Sequence, residues 1–360
     1  MRRLFISFML LFAAAVAVLH AQKTNFVPAT DSRLAYVGRV SLSGGCAAWT
    51  YPGLQIHACF TGTSLRMKTS SGSGFFMVEI NDKAPFKVES AGGDSLLLLA
   101  EGLSEGTHRV TVTYAIEGLL KHPKFYGFYL DEAGALCDRP QLPTRKMEFI
   151  GNSITCAYGI EGDGSEKKFS YSQQNVFYAY ETLVARAFDA QCQIVARSGI
   201  GIYRNNNGNV RGDKNVLPAL YPYTQFGMGG EKWDFSRYQP DVVCVNLGTN
   251  DTTNPSYDTN LLADAFKKFL VTLRGHYPKA KIVLLTGTML KGQRLEDLKH
   301  AQQVAIDDAV RRGDMEVYRF DFTPADGTYG WGTHRHPSKR QHAHMAEELI
   351  PFIRKITGWE

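Results

Sequence analysis

The sequence predicts an antiparallel, jelly-roll-like β-sandwich followed by a three-layer α/β/α domain built on a parallel sheet. Three observations carry that prediction. Up to residue 136, short alternating segments such as LQIHACF (54–60) and HRVTVTYAI (108–116) are separated by Gly, Asn, Asp and Ser clusters. After residue 145, strand-like runs alternate with segments of helical period. The run PDVVCVNLG (240–248) is almost continuously apolar, as a strand covered on both faces must be.

Taken in order, residues 1–21 read as a cleaved secretory signal. Arg2 and Arg3 precede an apolar run from Leu4 to Val18, and Ala21 ends it before Gln22. The run is short for a spanning helix, and no other stretch is apolar enough to cross a membrane. A chain that begins near Gln22 is expected to be secreted or periplasmic. Residues 22–136 form the sandwich, with strands expected at YVGRVSL, LQIHACF, SLRMKT, FFMVEIND, HRVTVTYAI and FYGFYLD. Residues 137–145, with Pro140 and Pro143, read as a linker.

Residues 146–360 carry the α/β pattern. KMEFIG, QCQIVA, PDVVCVNLG, KIVLLTG and MEVYRFDF are the strands. NVFYAYETLVARAFDA, the stretch after Asp258, LEDLKHAQQVAIDDAV and HAHMAEELIPFIRKI are the helices; Leu262, Phe266, Phe269, Leu270 and Leu273 share one face of the second. Residues 205–231 show no period, and a loop of that length in a compact domain reads as functional or as a lid.

Composition narrows the function. Of 360 residues, 44% are hydrophobic and 21% charged, which argues against long disorder. The formal charge is +5, but Lys and Arg are scattered and no basic run is interleaved with aromatics, which argues against nucleic acid. Six cysteines are too few for a disulfide scaffold; Cys46 and Cys59 are the candidates for pairing, and Cys192 and Cys244 fall in core strands. No Cys/His ligand spacing is present, so neither metal nor cofactor is expected.

Four strings bear chemistry, and the first two fall beyond the C-terminal ends of expected strands, where active sites of open parallel sheets lie. FIGNSITCAYG places Ser153 on a strand-to-helix turn, where a nucleophile is exposed and backbone N–H groups converge. VNLGTND places the Asn250 amide as an oxyanion donor. In ARSGIGIYRN, Gly199 or Gly201 offers a backbone N–H, Gly199 being nearer the strand end. THRHPS places His336 before Pro337, which holds it extended and projects the imidazole from a loop. His334, His342 and His344 compete; the last two lie in the expected helix and read as surface residues. Trp331, Tyr203 and Tyr221 are candidate platforms for sugar rings, with Tyr329 and Trp233 nearby.

The GNSIT, SGIG, GTND and HP strings resemble the blocks of SGNH hydrolases. With GRVSL, WTYPG, FTGTSLRM and LSEGTHRVTV in the first domain, the chain after the leader resembles carbohydrate esterase family 2. The resemblance implies removal of acetyl groups from plant polysaccharides or oligosaccharides such as xylan and glucomannan. It implies Ser153 as nucleophile, His336 as base, and the Ser153 and Gly199 N–H groups with Asn250 as oxyanion hole. Two departures stand out. Asn152 replaces the usual Asp before the serine, and Thr333 and His334 stand where many relatives carry the triad acid. Either a backbone carbonyl of 333–335 or Asp326 then orients the imidazole.

Overall fold

The computed structural model describes residues 24–93, 95–227 and 230–360; the leader read at residues 1–21 lies outside them. Ten strands form the sandwich: β1 (Thr24–Pro28), β2 (Ala35–Val37), β3 (Ala47–Ala48), β4 (Gln55–Thr61), β5 (Leu65–Thr69), β6 (Gly74–Ile80), β7 (Phe86–Ser90), β8 (Leu96–Ala100), β9 (Thr107–Tyr114) and β10 (Lys124–Asp131). One antiparallel sheet runs β2-β4-β9-β6-β7; the other runs β1-β10-β5-β8, with β3 also on β10. Burial alternates residue by residue along β4 and β5. The inward set, including Ile56, Phe60, Met67, Val112 and Phe128, fills one core.

Four strands escape the sequence pattern for physical reasons. β7 is a short edge strand with only Ser90 buried, and its two apolar residues, Phe86 and Val88, are too few to set a strand period. In β8, Leu98 is 47% exposed between buried Leu97 and Leu99, so the run LLLLA conceals its two faces. β1 buries only Val27, and β3 has two residues.

The second domain contains β11 (Arg145–Gly151), α1 (Tyr180–Ala187), β12 (Ala190–Ala196), α2 (Leu217–Leu220), β13 (Val242–Asn246), α3 (Thr259–His276), β14 (Lys281–Thr286), α4 (Gln293–Arg311), β15 (Val317–Asp321) and α5 (Lys339–Thr357). Its sheet is parallel throughout, in the order β12-β11-β13-β14-β15. Every residue of β13 is buried, because α3 and α4 cover one face and α1 and α5 the other. Asp258 starts α3 by accepting from the N–H groups of Asn260 and Leu261, and left-handed Gly358 stops α5. The strand order reverses direction between β11 and β13, which opens a crevice at their C-terminal ends. Gly151 pairs with both Ala196 and Asn246, so the ends of β12, β11 and β13 are level.

The domains interlock. Tyr51 of the sandwich joins the core of the parallel-sheet domain, and Phe177 joins the sandwich core. Arg39, fully buried, crosses to β11 and pairs with buried Glu148 at 3.2 Å. Glu148 also accepts from Tyr221 Oη at 2.6 Å and from Gln193 Nε2 at 2.7 Å. Removing one partner of such a pair strands a buried charge and costs about 3–5 kcal/mol. Within the aperiodic stretch, residues 217–226 are part of this seam: Leu217, Tyr221 and Phe226 are buried, Arg39 donates to the Tyr221 carbonyl, and Phe226 N–H donates to Thr50 Oγ1. The stretch 217–226 is therefore clamped, whereas 205–215 is mostly exposed.

Cys46 and Cys59 are both free thiols. The neighbour of Cys59 is Cys137, whose N–H donates to the Cys59 carbonyl at 2.8 Å. Among the described residues no helix is long and apolar enough to cross a membrane.

Candidate active site

Ser153 owes its place to a tight turn off β11. A Cβ on Gly151 would lie 2.1 Å from Thr155 Oγ1, so only glycine lets the chain fold back there. Asn152 Oδ1 accepts the Ile154 N–H at 3.0 Å, and the Asn152 carbonyl accepts the Cys156 N–H at 2.9 Å. An amide oxygen thus serves as the acceptor in this turn, while the buried Asn152 Nδ2 has no partner. The Ser153 N–H has no acceptor among the described residues.

His336 reaches the serine from the turn ahead of α5. Its Nε2 lies 2.9 Å from Ser153 Oγ. The residue is extended (φ −72°, ψ 162°) ahead of Pro337, and Ser338 then caps α5 by accepting from the Gln341 N–H. The preceding turn is anchored by Thr333, whose N–H donates to the Gly159 carbonyl at 3.0 Å and whose hydroxyl donates to Gln173 at 3.1 Å. His334 (φ 53°) and Arg335 (φ 58°) are both left-handed, which strains two side-chain-bearing residues in succession. Tyr158 braces them: its hydroxyl bonds His334 Nδ1 at 3.1 Å and its ring centroid lies 4.6 Å from that of His336.

Burial dominates the titration of His336 and pushes it from 6.5 down to about 4; the nearby carbonyls of Thr333 and His334 pull weakly the other way. The imidazole is therefore neutral at neutral pH, with Nε2 free to accept a proton although it is a weaker base than an exposed histidine. Neither carbonyl meets hydrogen-bond geometry with Nδ1, which has no partner. Asp326 is not the orienting acid. Its exposed carboxylate accepts the Thr328 N–H at 2.8 Å and closes its own turn.

Two further donors arise on the loops that follow β12 and β13. Gly199, left-handed at φ 79°, has open space where a side chain would project, and its N–H has no acceptor among the described residues. Gly201 is excluded as a donor because Asn205 Oδ1 takes its N–H at 3.1 Å. Asn250 Nδ2 donates one hydrogen to the Ile200 carbonyl at 2.7 Å, which fixes the amide and leaves its second hydrogen. Buried Asp251 stiffens the same loop by accepting the N–H groups of Ile202, Tyr203 and Arg204 at 2.8–3.1 Å. Because the strand ends are level, Ser153, Gly199 and Asn250 all arise within four residues of one sheet edge.

The aromatic assignments change. Tyr221 is fully buried and bonded to Glu148, and Tyr203 is 7% exposed with its hydroxyl accepting the Asp258 N–H, so neither presents a ring to substrate. Trp233 is buried beside Arg39. Trp331 is half-buried in the turn before His336, packed against Gly164 and Gly327. Tyr158 and Phe169, stacked at 4.0 Å and half-buried, form the aromatic wall next to His336 that periodicity did not reveal. His342 is buried, not on the surface: its Nδ1 accepts the Tyr180 N–H at 3.2 Å. No group of three or more His, Cys, Asp or Glu residues that could hold a metal ion occurs among the described residues.

Residues 36–140 match the family described as carbohydrate esterase 2 N-terminal, and residues 147–349 match the GDSL-like lipase/acylhydrolase family. The chain is 35% identical over 329 residues to a cellulase/esterase, CelE, of Acetivibrio thermocellus, covering 90% of this chain but only 39% of that protein. It is 30% identical over 341 residues to an acetylxylan esterase/glucomannan deacetylase of Cellvibrio japonicus, covering 93% of this chain and 92% of that protein. The solved structure of a family two carbohydrate esterase from Clostridium thermocellum in complex with cellohexaose superposes with a TM-score of 0.84 at 34% identity, over 91% of this chain and all of that one.

Proposed function

The chain belongs to carbohydrate esterase family 2, and we propose that it is a secreted, metal-independent serine esterase that removes O-acetyl groups from plant polysaccharides or oligosaccharides. The observation that carries the mechanism is the 2.9 Å hydrogen bond between Ser153 Oγ and His336 Nε2. His336, held neutral, takes the proton as Ser153 Oγ attacks the acetyl carbonyl. The N–H groups of Ser153 and Gly199 and the second hydrogen of Asn250 Nδ2 receive the developing oxyanion, each such donor being worth about 3 kcal/mol. His336 then protonates the leaving sugar oxygen, and in the second half activates the water that releases acetate.

On this reading the site works as a dyad. No carboxylate or carbonyl bonds His336 Nδ1, and the ring is held by its extended place before Pro337 and by the Tyr158 ring packed against it. Acetylated xylan and glucomannan are the proposed substrates, by analogy with the named activity of the Cellvibrio japonicus relative. Secretion rests on the leader at residues 1–21. The unpartnered Nδ1 also favours a second reading, a carbohydrate-binding protein with weakened catalysis.

Purified protein assayed for acetate release from acetylated xylan, glucomannan and pectin, and on 4-nitrophenyl acetate, separates the two. Activity abolished by Ser153→Ala supports the esterase. Polysaccharide binding without turnover supports the second reading, and more than a tenth of activity surviving Ser153→Ala rejects that nucleophile.

A further inference from the structure

We propose that Glu117, from the β-sandwich domain, is a positioning residue for the oxyanion pocket of the esterase site. The inference rests on the hydrolytic reading above and extends it: the sandwich supplies part of the active-site framework and is more than an appended module.

Glu117 leaves the end of β9 and crosses to the crevice. Its backbone is pinned on both sides, since the Ala115 carbonyl accepts the Val176 N–H at 2.9 Å and the Gly118 N–H donates to the Thr50 carbonyl at 2.8 Å. The side chain is 9% exposed. One oxygen, Oε2, accepts the Ser198 N–H at 3.0 Å and lies 4.0 Å from Cys156 Sγ. Ser198 directly precedes Gly199, and Cys156 lies in the turn of Ser153. A single carboxylate oxygen therefore ties the nucleophile turn to the loop that offers the second oxyanion donor. Burial, with the Glu117 charge next, keeps the Cys156 thiol protonated and so able to donate.

Beyond Gly199 the loop is held on its carbonyls, by the Asn206 N–H on Gly199 at 2.9 Å and by Asn250 Nδ2 on Ile200 at 2.7 Å, whereas its amides are held less well. The other engaged amides of residues 197–200 make long bonds: Arg197 N–H to the Gly151 carbonyl at 3.3 Å and Ile200 N–H to the Arg197 carbonyl at 3.4 Å. The bond to Glu117 is shorter and charge-assisted, which makes it roughly twice as strong as a neutral one. Gly199 is left-handed and has no side chain to lock it. Releasing the Ser198 amide frees the next peptide to rotate, and the Gly199 N–H leaves the place where the oxyanion forms.

The test compares wild type, Glu117→Ala and Glu117→Gln. The readouts are kcat and KM on 4-nitrophenyl acetate, the rate at which a fluorophosphonate modifies Ser153, and the melting temperature. Glu117→Ala is expected to lower kcat and the phosphonylation rate about 10- to 100-fold with KM changed less than about threefold. Glu117→Gln keeps an acceptor for the Ser198 N–H and is expected to restore both rates to within about threefold of wild type. Should Glu117→Ala fail to fold, Glu117→Asp, whose oxygen is withdrawn by one methylene, takes its place with the same expectation. A folded Ala or Asp variant within twofold of wild type in both rates overturns the proposal. So does a Gln variant as slow as the Ala or Asp variant, because the acceptor geometry would then be irrelevant. A wild type that takes the fluorophosphonate at Ser153 but spares acetyl esters refutes the ester assignment, and the phosphonylation rates still decide the role of Glu117. A wild type inert to both reagents refutes both.

Discussion

Acidification of the assay interrogates the environment of His336 directly. Burial pushes this imidazole from 6.5 to about 4, which corresponds to about 3 kcal/mol against the imidazolium. The base is active only when neutral. At pH 5.5 a histidine of ordinary pKa would leave about a tenth of the enzyme active, whereas His336 leaves well over nine-tenths. The acid limb of kcat/KM should therefore fall near pH 4 to 5, not near 6.5. The measurement is kcat/KM for acetate release between pH 3.5 and 8. Each sample is also returned to pH 7 and reassayed, so that acid unfolding is separated from titration. An inflection between pH 6 and 7 with full recovery would refute the reasoning. It would mean that the crevice admits water to the ring, or that a carboxylate approaches Nδ1 in solution.

Asn250→Ala should lower kcat about 100- to 1,000-fold with little change in KM, because an oxyanion donor acts in the transition state; steady-state kinetics on 4-nitrophenyl acetate reads the split. Arg39→Ala should destabilise the protein by about 3–5 kcal/mol, seen in the urea midpoint, because Glu148 is left buried and unpaired across the domain seam. Burial, with the nearby His336 contributing, pushes His342 down to about 3. The unfolded chain binds this proton below about 6.5 and the folded chain does not until about 3, so stability should fall with pH across that window. His342 alone contributes up to about 1.4 kcal/mol per pH unit, and His342→Gln should flatten the slope of urea stability between pH 6.5 and 4.

Much of this fold was legible because period and burial coincide. The half-buried strands β4 and β9 alternate, and β13 reads as a continuous apolar run because both its faces are covered. Where exposure and hydrophobicity part company the reading failed. Exposed Leu98 hides β8, and the edge strand β7 has too little to bury. Aromatic character misled for a related reason. Tyr221 has a polar tip and an apolar body, and nothing local says whether the tip meets a sugar or a buried carboxylate. Glu148, its partner, lies 73 positions away. His342 reads as polar in a helix, yet the facing α1 offers its Nδ1 the Tyr180 N–H and buries it.

The sequence by itself determined the chemistry on offer: a serine after a strand and a glycine, an asparagine in GTND, and a histidine before proline. Each role depends on a residue type at a turn, and turns are written locally. Only the tertiary structure decided which groups meet. It tied up the Gly201 N–H and left that of Gly199 without an acceptor among the described residues, and it gave the Asp326 carboxylate a backbone donor of its own. It also brought Glu117 of the sandwich against the oxyanion loop, 81 positions distant from Ser198. Hydrogen bonds reach only about 3 Å, and pairs so far apart in the chain meet only when both cores have packed.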